Sequence, residues 1–164
     1  MLTLGAIYSP GYKIALFFHI AAVVALGPTF AYGVLFSVLP KYPRSAPALL
    51  AGMRKIDRVM VNPAMIILLI AGIVVLATSG SVWKGSQFFV VWGFIAIIAL
   101  FGVQHGFFAP QMDRLGEIAD KDLAAGDTLS PEFETTSQKI AQVGAATGLL
   151  IVVTIFIMAY KPFL

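Results

Sequence analysis

Four apolar runs, each about 20 residues or longer, leave this sequence few choices of fold. They cover residues 12–39, 59–78, 88–109 and 140–160. A helix needs about 20 apolar residues to cross the hydrocarbon core of a bilayer. Lipid offers no partner to backbone amides and carbonyls, so each run must satisfy its own hydrogen bonds as a helix. No run alternates with period two, as the strands of a membrane barrel do. The expected fold is an all-α membrane protein, a single domain over residues 1–164 forming a four-transmembrane-helix bundle. Composition agrees, because only 12% of the 164 residues are charged and 59% are hydrophobic. That is about half the charge of a soluble domain, so lipid is expected to solvate most of the surface.

The first run imitates a secretory leader, with Lys13 ahead of an apolar stretch and Ala25-Leu26-Gly27 behind it. Pro28 would occupy the first mature position, however, and the apolar run continues to Leu39. The segment therefore reads as a span rather than a cleaved leader. Gly27-Pro28 is expected to kink it.

Orientation follows from the basic residues. Lys41, Arg44, Arg54, Lys55, Arg58, Arg114, Lys121 and Lys139 flank or lie in the first and third loops, against Lys13, Lys84 and Lys161 on the other side. Eight against three predicts that the first and third loops lie in the cytoplasm and both termini outside. Tyr8, Tyr12, Trp83 and Tyr160 would then form an outer aromatic belt. The net charge of +3 comes from helix ends and is no nucleic-acid signal, so the expected partners are lipid and other membrane chains.

The loops carry helical signals of their own. After Ser45 and Pro47, Leu49, Met53, Ile56 and Met60 recur at helical spacing, predicting an amphipathic helix at the cytoplasmic interface that enters the second span and bends near Asn62-Pro63. Leu115, Ile118 and Leu123 predict that the third helix continues to about Ala125, with a break at residues 126–129 and Ser130-Pro131 starting the last helix. Small residues recur at Ala21, Ala25, Thr29, Gly33 and Ser37 in the first span, from Gly93 to Gly106 in the third, and at Gly144 and Gly148 in the fourth. Such stripes let helix backbones approach closely, chiefly within one chain.

Chemistry-bearing residues are few. The chain has no cysteine, which excludes disulfides, thiolate metal sites and thiol nucleophiles. No nucleophile elbow, phosphate loop or zinc-protease motif occurs, and all eight acidic residues lie in or beside the cytoplasmic loops. That disfavours a small transporter, which usually needs an ionisable group at depth. The two histidines, His19 and His105, invite a shared haem. Counted along their spans they differ in depth by roughly 20 Å, so one chain is not expected to place both on one iron. His105 is expected to join Asn62, Gln104 and Gln142 in a mutually hydrogen-bonded polar layer. His19, set among Phe17, Phe18, Ile20 and Ala21, is expected to face inward between Ala15 and Ala22. Trp92 and Thr154 are its partners by depth.

The opening Lys-Ile-Ala-Leu-Phe-Phe-His-Ile from Lys13, Ala-Ala-Gly-Asp-Thr-Leu-Ser-Pro from Ala124, and Met-Ala-Tyr-Lys-Pro from Met158 resemble a bacterial family of predicted four-helix integral membrane proteins of unknown function. The likeness runs over essentially the whole chain. Lys13 and His19 also resemble the first helix of the bacterial four-helix protoporphyrinogen oxidases, which bind haem b, and of the copper-resistance membrane domains. The rest of the oxidase pattern does not appear. By that second likeness His19 alone would be a haem ligand. The function expected is an accessory or assembly subunit of a larger membrane complex without catalysis of its own. The alternative is a b-type-haem redox protein using His19.

Overall fold

The computed structural model describes the backbone of residues 2–163 and the side chains of residues 5–163. Helix accounts for 86% of the chain, and no strand occurs among the described residues. Four helices, Pro10–Lys41, Pro43–Thr78, Phe88–Ala125 and Pro131–Tyr160, are long and apolar enough to cross a membrane. Even the shortest, at 30 residues, extends about 45 Å against a hydrocarbon core of about 30 Å. Every one of them therefore has length to spare outside the lipid, and the chain is a multi-pass membrane protein.

In chain order the α-helical segments are α1 (Leu2–Ile7), α2 (Pro10–Ala25), α3 (Pro28–Val38), α4 (Ala46–Ile56), α5 (Asn62–Thr78), α6 (Phe88–Val103), α7 (Ala109–Ala125) and α8 (Pro131–Tyr160). The chain packs as two compact units, one of Met1–Gly27, Met60–Ala99 and Leu150–Leu164, the other of Pro28–Val59 and Leu100–Leu149.

The first unit is organised around the pairing of α2 with α5. Ser9 caps α2 by accepting the Tyr12 amide at 3.3 Å, and Pro10 takes the first helical position, where a missing N–H costs nothing. The inward face of α2 is Tyr12, Ala15, His19, Ala22 and Leu26, with His19 half-buried and the others buried. Those steps of three, four, three and four are the spacing of a left-handed helix pair. The opposing face carries Val61, just ahead of α5, and then Ala64, Met65, Leu68 and Ala71 of α5. Alanines on both sides let the backbones approach, which is what drives association where there is no water to expel. Phe17 and Phe18 turn outward. The every-fourth stripe expected from Ala21 to Ser37 is not this seam: Ala21 and Ala25 lie at its edge, and Gly33 and Ser37 are exposed. Helical bonding pauses after Ala25, where the Leu26 and Gly27 amides donate to the carbonyls three residues back at 3.1 and 2.9 Å. A Cβ on Gly27 would lie 2.9 Å from the Val24 oxygen, so the break requires glycine there.

At the far end of α5, Ser79 is buried. Its hydroxyl donates to Leu76 O at 2.8 Å and accepts the Trp83 amide at 3.3 Å. Gly80 and Ser81 then turn the chain with φ of 60° and 70°. Trp83 donates its indole N–H to the Tyr12 hydroxyl at 3.0 Å, and Lys161 lies 4.5 Å over its ring. Tyr12 is thus buried behind Trp83, while Tyr8 and Tyr160 are exposed.

The second unit has an apolar core of its own. Phe36, Leu39, Leu50, Met53, Met112, Leu115, Ala119, Phe133 and Ile140 form one buried cluster. On α4 the buried face is Ala46, Leu50 and Met53, whereas Leu49 and Ile56 are half-buried and Met60 is exposed. The helix is rotated from the stripe read in the sequence because α7 and the first turns of α8 offer a protein core to one face. On α7, Leu115 and Ile118 point inward as expected and Leu123 is half-buried. The helix ends at Ala125, and Ser130 caps α8 by accepting the Phe133 amide at 3.3 Å. The Asp122 carboxylate takes the Ser130 amide at 2.7 Å. The hydroxyl and amide of Ser130 hold that carboxyl below the usual carboxylate range. Arg44–Asp127 at 2.9 Å and Arg114–Glu132 at 2.8 Å are exposed pairs, each contributing about 0–1 kcal/mol. Arg54 instead lies over Gly116, donates to Met112 O, and brings Nε within 3.3 Å of Asp113. That approach gives Coulomb attraction without hydrogen-bond alignment, and Nε has no other partner.

Candidate functional site

Two polar positions stand out on these apolar helices, one in each unit. The first is His19, half-buried at the middle of the α2–α5 seam. Its Nδ1 lies 3.2 Å from the carbonyl oxygen of Leu68. A carbonyl can only accept, so Nδ1 carries the proton and Nε2 is the basic nitrogen. Glycine makes the contact possible. Within α5 the Leu68 carbonyl faces residue 72 one turn on, and residue 72 is a glycine whose missing Cβ would stand 3.3 Å from the imidazole Nδ1 and Cε1. The partners expected from depth bond to each other instead: Trp92 donates its indole N–H to Thr154 Oγ1 at 3.1 Å, and Thr154 donates to Leu150 O at 2.8 Å. His19 does turn inward between Ala15 and Ala22, but its partner is a backbone group, which carries no sequence signal of its own.

The second position was not read from the sequence. The Tyr32 hydroxyl, on α3, lies 2.9 Å from Asp57 Oδ1 and 3.2 Å from the Met53 carbonyl oxygen. Gln104 lies near the same carboxyl. Asp57 lies next to the basic Arg54, Lys55 and Arg58 and reads as a solvated loop charge, yet it is half-buried. Two local distortions bring the node together. Asp57–Val61 and Gln104–Phe108 are π-helical turns, and each ends two residues before a proline, Pro63 and Pro110. Proline lacks an N–H, and its ring crowds the carbonyl four residues back. Widening the preceding turn relieves that crowding and rotates the side chains that follow. Asp57 and Gln104 each open one of the two wide turns. The signal available in the sequence was this shared offset, a polar residue six positions ahead of a proline in two different helices.

No hydrogen bond joins the residues of the expected polar layer to one another among the described residues. Gln104 lies near Asp57, and His105 is exposed and stacks on Phe101 at 6.1 Å with a 15° interplanar angle. Gln142 is exposed, and the buried Oδ1 of Asn62 has no hydrogen-bond partner among the described residues. No group of three or more metal-ligating side chains occurs among the described residues. In comparisons with known proteins, no family model, no curated protein and no solved structure matches the chain.

Proposed function

We propose that this chain is an accessory or assembly subunit of a larger membrane complex in the bacterial cytoplasmic membrane, contributing helix contacts rather than catalysis. The observation that carries this reading is the open face at Gly102, His105 and Gly106. Beyond the adjoining residues and the backbone of its own helix, no atom lies within 4 Å of the Cβ position of either glycine, and the imidazole between them is exposed. Lipid gains nothing from small residues or an imidazole. A helix of another membrane subunit gains close backbone packing and a hydrogen bond. Three other glycines of the third and fourth spans are covered within the chain: Phe108 lies against Gly144, Phe30 against Gly148 and Met158 against Gly93.

Gentle purification in detergent tests the proposal. Other membrane subunits should co-purify with the wild-type chain and fall away from a Gly102→Leu, Gly106→Leu variant that keeps its helical circular dichroism. A wild-type chain that purifies alone, or only as copies of itself, sinks the accessory role.

His19 supports a second reading, a redox protein holding one b-type haem. A hydrogen bond from Nδ1 to a backbone carbonyl orients an imidazole and raises the basicity of the other nitrogen. His19 would hold the iron through Nε2, with a second ligand from Met158 or a partner chain, and the haem would supply one-electron transfer. An absorbance spectrum of the same preparation decides, since this reading requires a Soret band and the accessory reading does not.

Both readings share one orientation, with the termini outside and the first and third loops in the cytoplasm. Eight basic residues against three support it. Single cysteines placed in residues 41–55 or 113–134 should resist membrane-impermeant maleimides in intact cells and react after permeabilisation. Labelling from outside would reverse the assignment.

A further inference from the structure

The second unit neutralises most of its basic residues but not all of them. Arg44, Arg54 and Arg114 reach Asp127, Asp113 and Glu132, Lys121 lies beside Asp122, and Lys139 stands 5.8 Å over the Phe107 ring. Lys41, Lys55 and Arg58 are exposed and meet no carboxylate or aromatic ring among the described residues. Lys41 ends the first membrane helix, whereas Lys55 and Arg58 share one face of the second. Asp57 stands between them in the sequence, but adjacent residues of a helix point about 100° apart. Its carboxylate turns away to accept from the Tyr32 hydroxyl at 2.9 Å. We infer that the exposed face of α4, with the turn that follows it, binds the headgroup of an anionic phospholipid, Lys55 and Arg58 holding its phosphate.

Depth puts the two cations where a lipid phosphate sits. The apolar run of residues 59–78 supplies about the 20 residues that the hydrocarbon core takes up. Arg58 and Lys55 therefore stand within the first turn beyond it, no more than about 6 Å along the helix axis. The shape of the face agrees. Ala48, Ala51 and Gly52 are exposed ahead of Lys55 at steps of three and four residues. Outside its own helix backbone and adjoining residues, a Cβ on Gly52 would meet nothing within 4 Å. Along one side the helix thus offers a low strip of small residues, then two cations, then the exposed Val59. A phospholipid presents the same order of groups: a headgroup, a phosphate and the start of an acyl chain. A guanidinium can hold two phosphate oxygens at once, and the ammonium adds a point charge. Net charge selects the lipid, because a zwitterionic headgroup would bring an ammonium of its own to an already basic strip. This site depends on neither the accessory nor the haem reading.

Native mass spectrometry of the full chain in a mild neutral detergent tests the inference, with phosphatidylglycerol and phosphatidylcholine of identical acyl chains added together. The wild type should retain phosphatidylglycerol in preference to phosphatidylcholine, and the preference should fade as salt is raised. Replacing both cations, Lys55→Gln with Arg58→Gln, should reduce it by roughly 25-fold, about fivefold for each basic residue. Both side chains are exposed and unpaired, so helical circular dichroism should not change. Lys13→Gln with Lys84→Gln removes the same charge at the start of α2 and in the loop after α5, and should leave the preference intact. Equal binding of the two lipids by the wild type overturns the inference, as does a preference indifferent to salt. So does a preference that the Lys55, Arg58 variant keeps or that the Lys13, Lys84 variant loses to the same extent. Displacement of the lipid by millimolar inorganic phosphate would mark a site for a free anion, and would overturn it too.

Discussion

Phe133→Ala should lower the stability of the chain in detergent by about 3–5 kcal/mol, the range for emptying a fully enclosed aromatic site. Phe133 is 0% exposed and belongs to the same buried cluster as Leu39, Leu50, Met53 and Leu115. It occupies the first turn of α8, where its amide also serves the Ser130 cap. The side chain therefore ties the start of the last helix to α4 and α7, and its removal leaves a cavity that rigid helices cannot close. Unfolding followed by circular dichroism against a denaturing detergent measures the loss. Hydrogen exchange should accelerate first in α4, α7 and the start of α8. A loss below about 1 kcal/mol would mean that this apolar core does not hold the second unit together.

Gly72→Leu should cost about 2–4 kcal/mol, combining overpacking of the α2–α5 seam with eviction of an imidazole from its acceptor. Any Cβ at residue 72 stands 3.3 Å from two ring atoms of His19, and a leucine adds three more carbons in the same direction. The ring must then swing away from the Leu68 carbonyl, leaving its donor unpaired beside apolar helix. Removing the obstruction from the other side gives the control. In a double-mutant cycle, His19→Ala should cost much less on the Gly72→Leu background than on the wild type, because the leucine can use the space that the ring vacates. Additive losses would show that residues 19 and 72 do not share that space in solution.

The seam containing His19 was legible in outline. Tyr12, Ala15, His19, Ala22 and Leu26 are spaced by three and four in the sequence itself, and reading that period yields the inward face directly. The small-residue stripe from Ala21 to Ser37 led elsewhere because small residues are common on every membrane helix and do not say which face is buried. On α4 an apolar stripe was again present, but the buried face is the neighbouring one, Ala46, Leu50 and Met53. A helix with apolar residues on more than one side is turned by its neighbours, and here α7 and Phe133 chose the side. His19 is the polar residue at the middle of its seam, and it pairs there with a single backbone carbonyl.

What the sequence alone determined is what depends on one helix at a time. Apolar length required four helices able to cross a membrane, prolines and capping serines marked where helices start, and residues 126–129 marked a break. These are matters of solubility in lipid and of hydrogen bonds within a turn, so each is written locally. The tertiary structure alone decided which side chains meet. Adjacent residues on a helix differ in direction by about 100°, and a single widened turn ahead of Pro63 or Pro110 rotates everything beyond it. Asp57 thereby leaves a row of charges to join Tyr32, and Gln104 parts from His105. His19 finds the Leu68 carbonyl only because Gly72, 53 positions further along the chain, has no side chain to cover it.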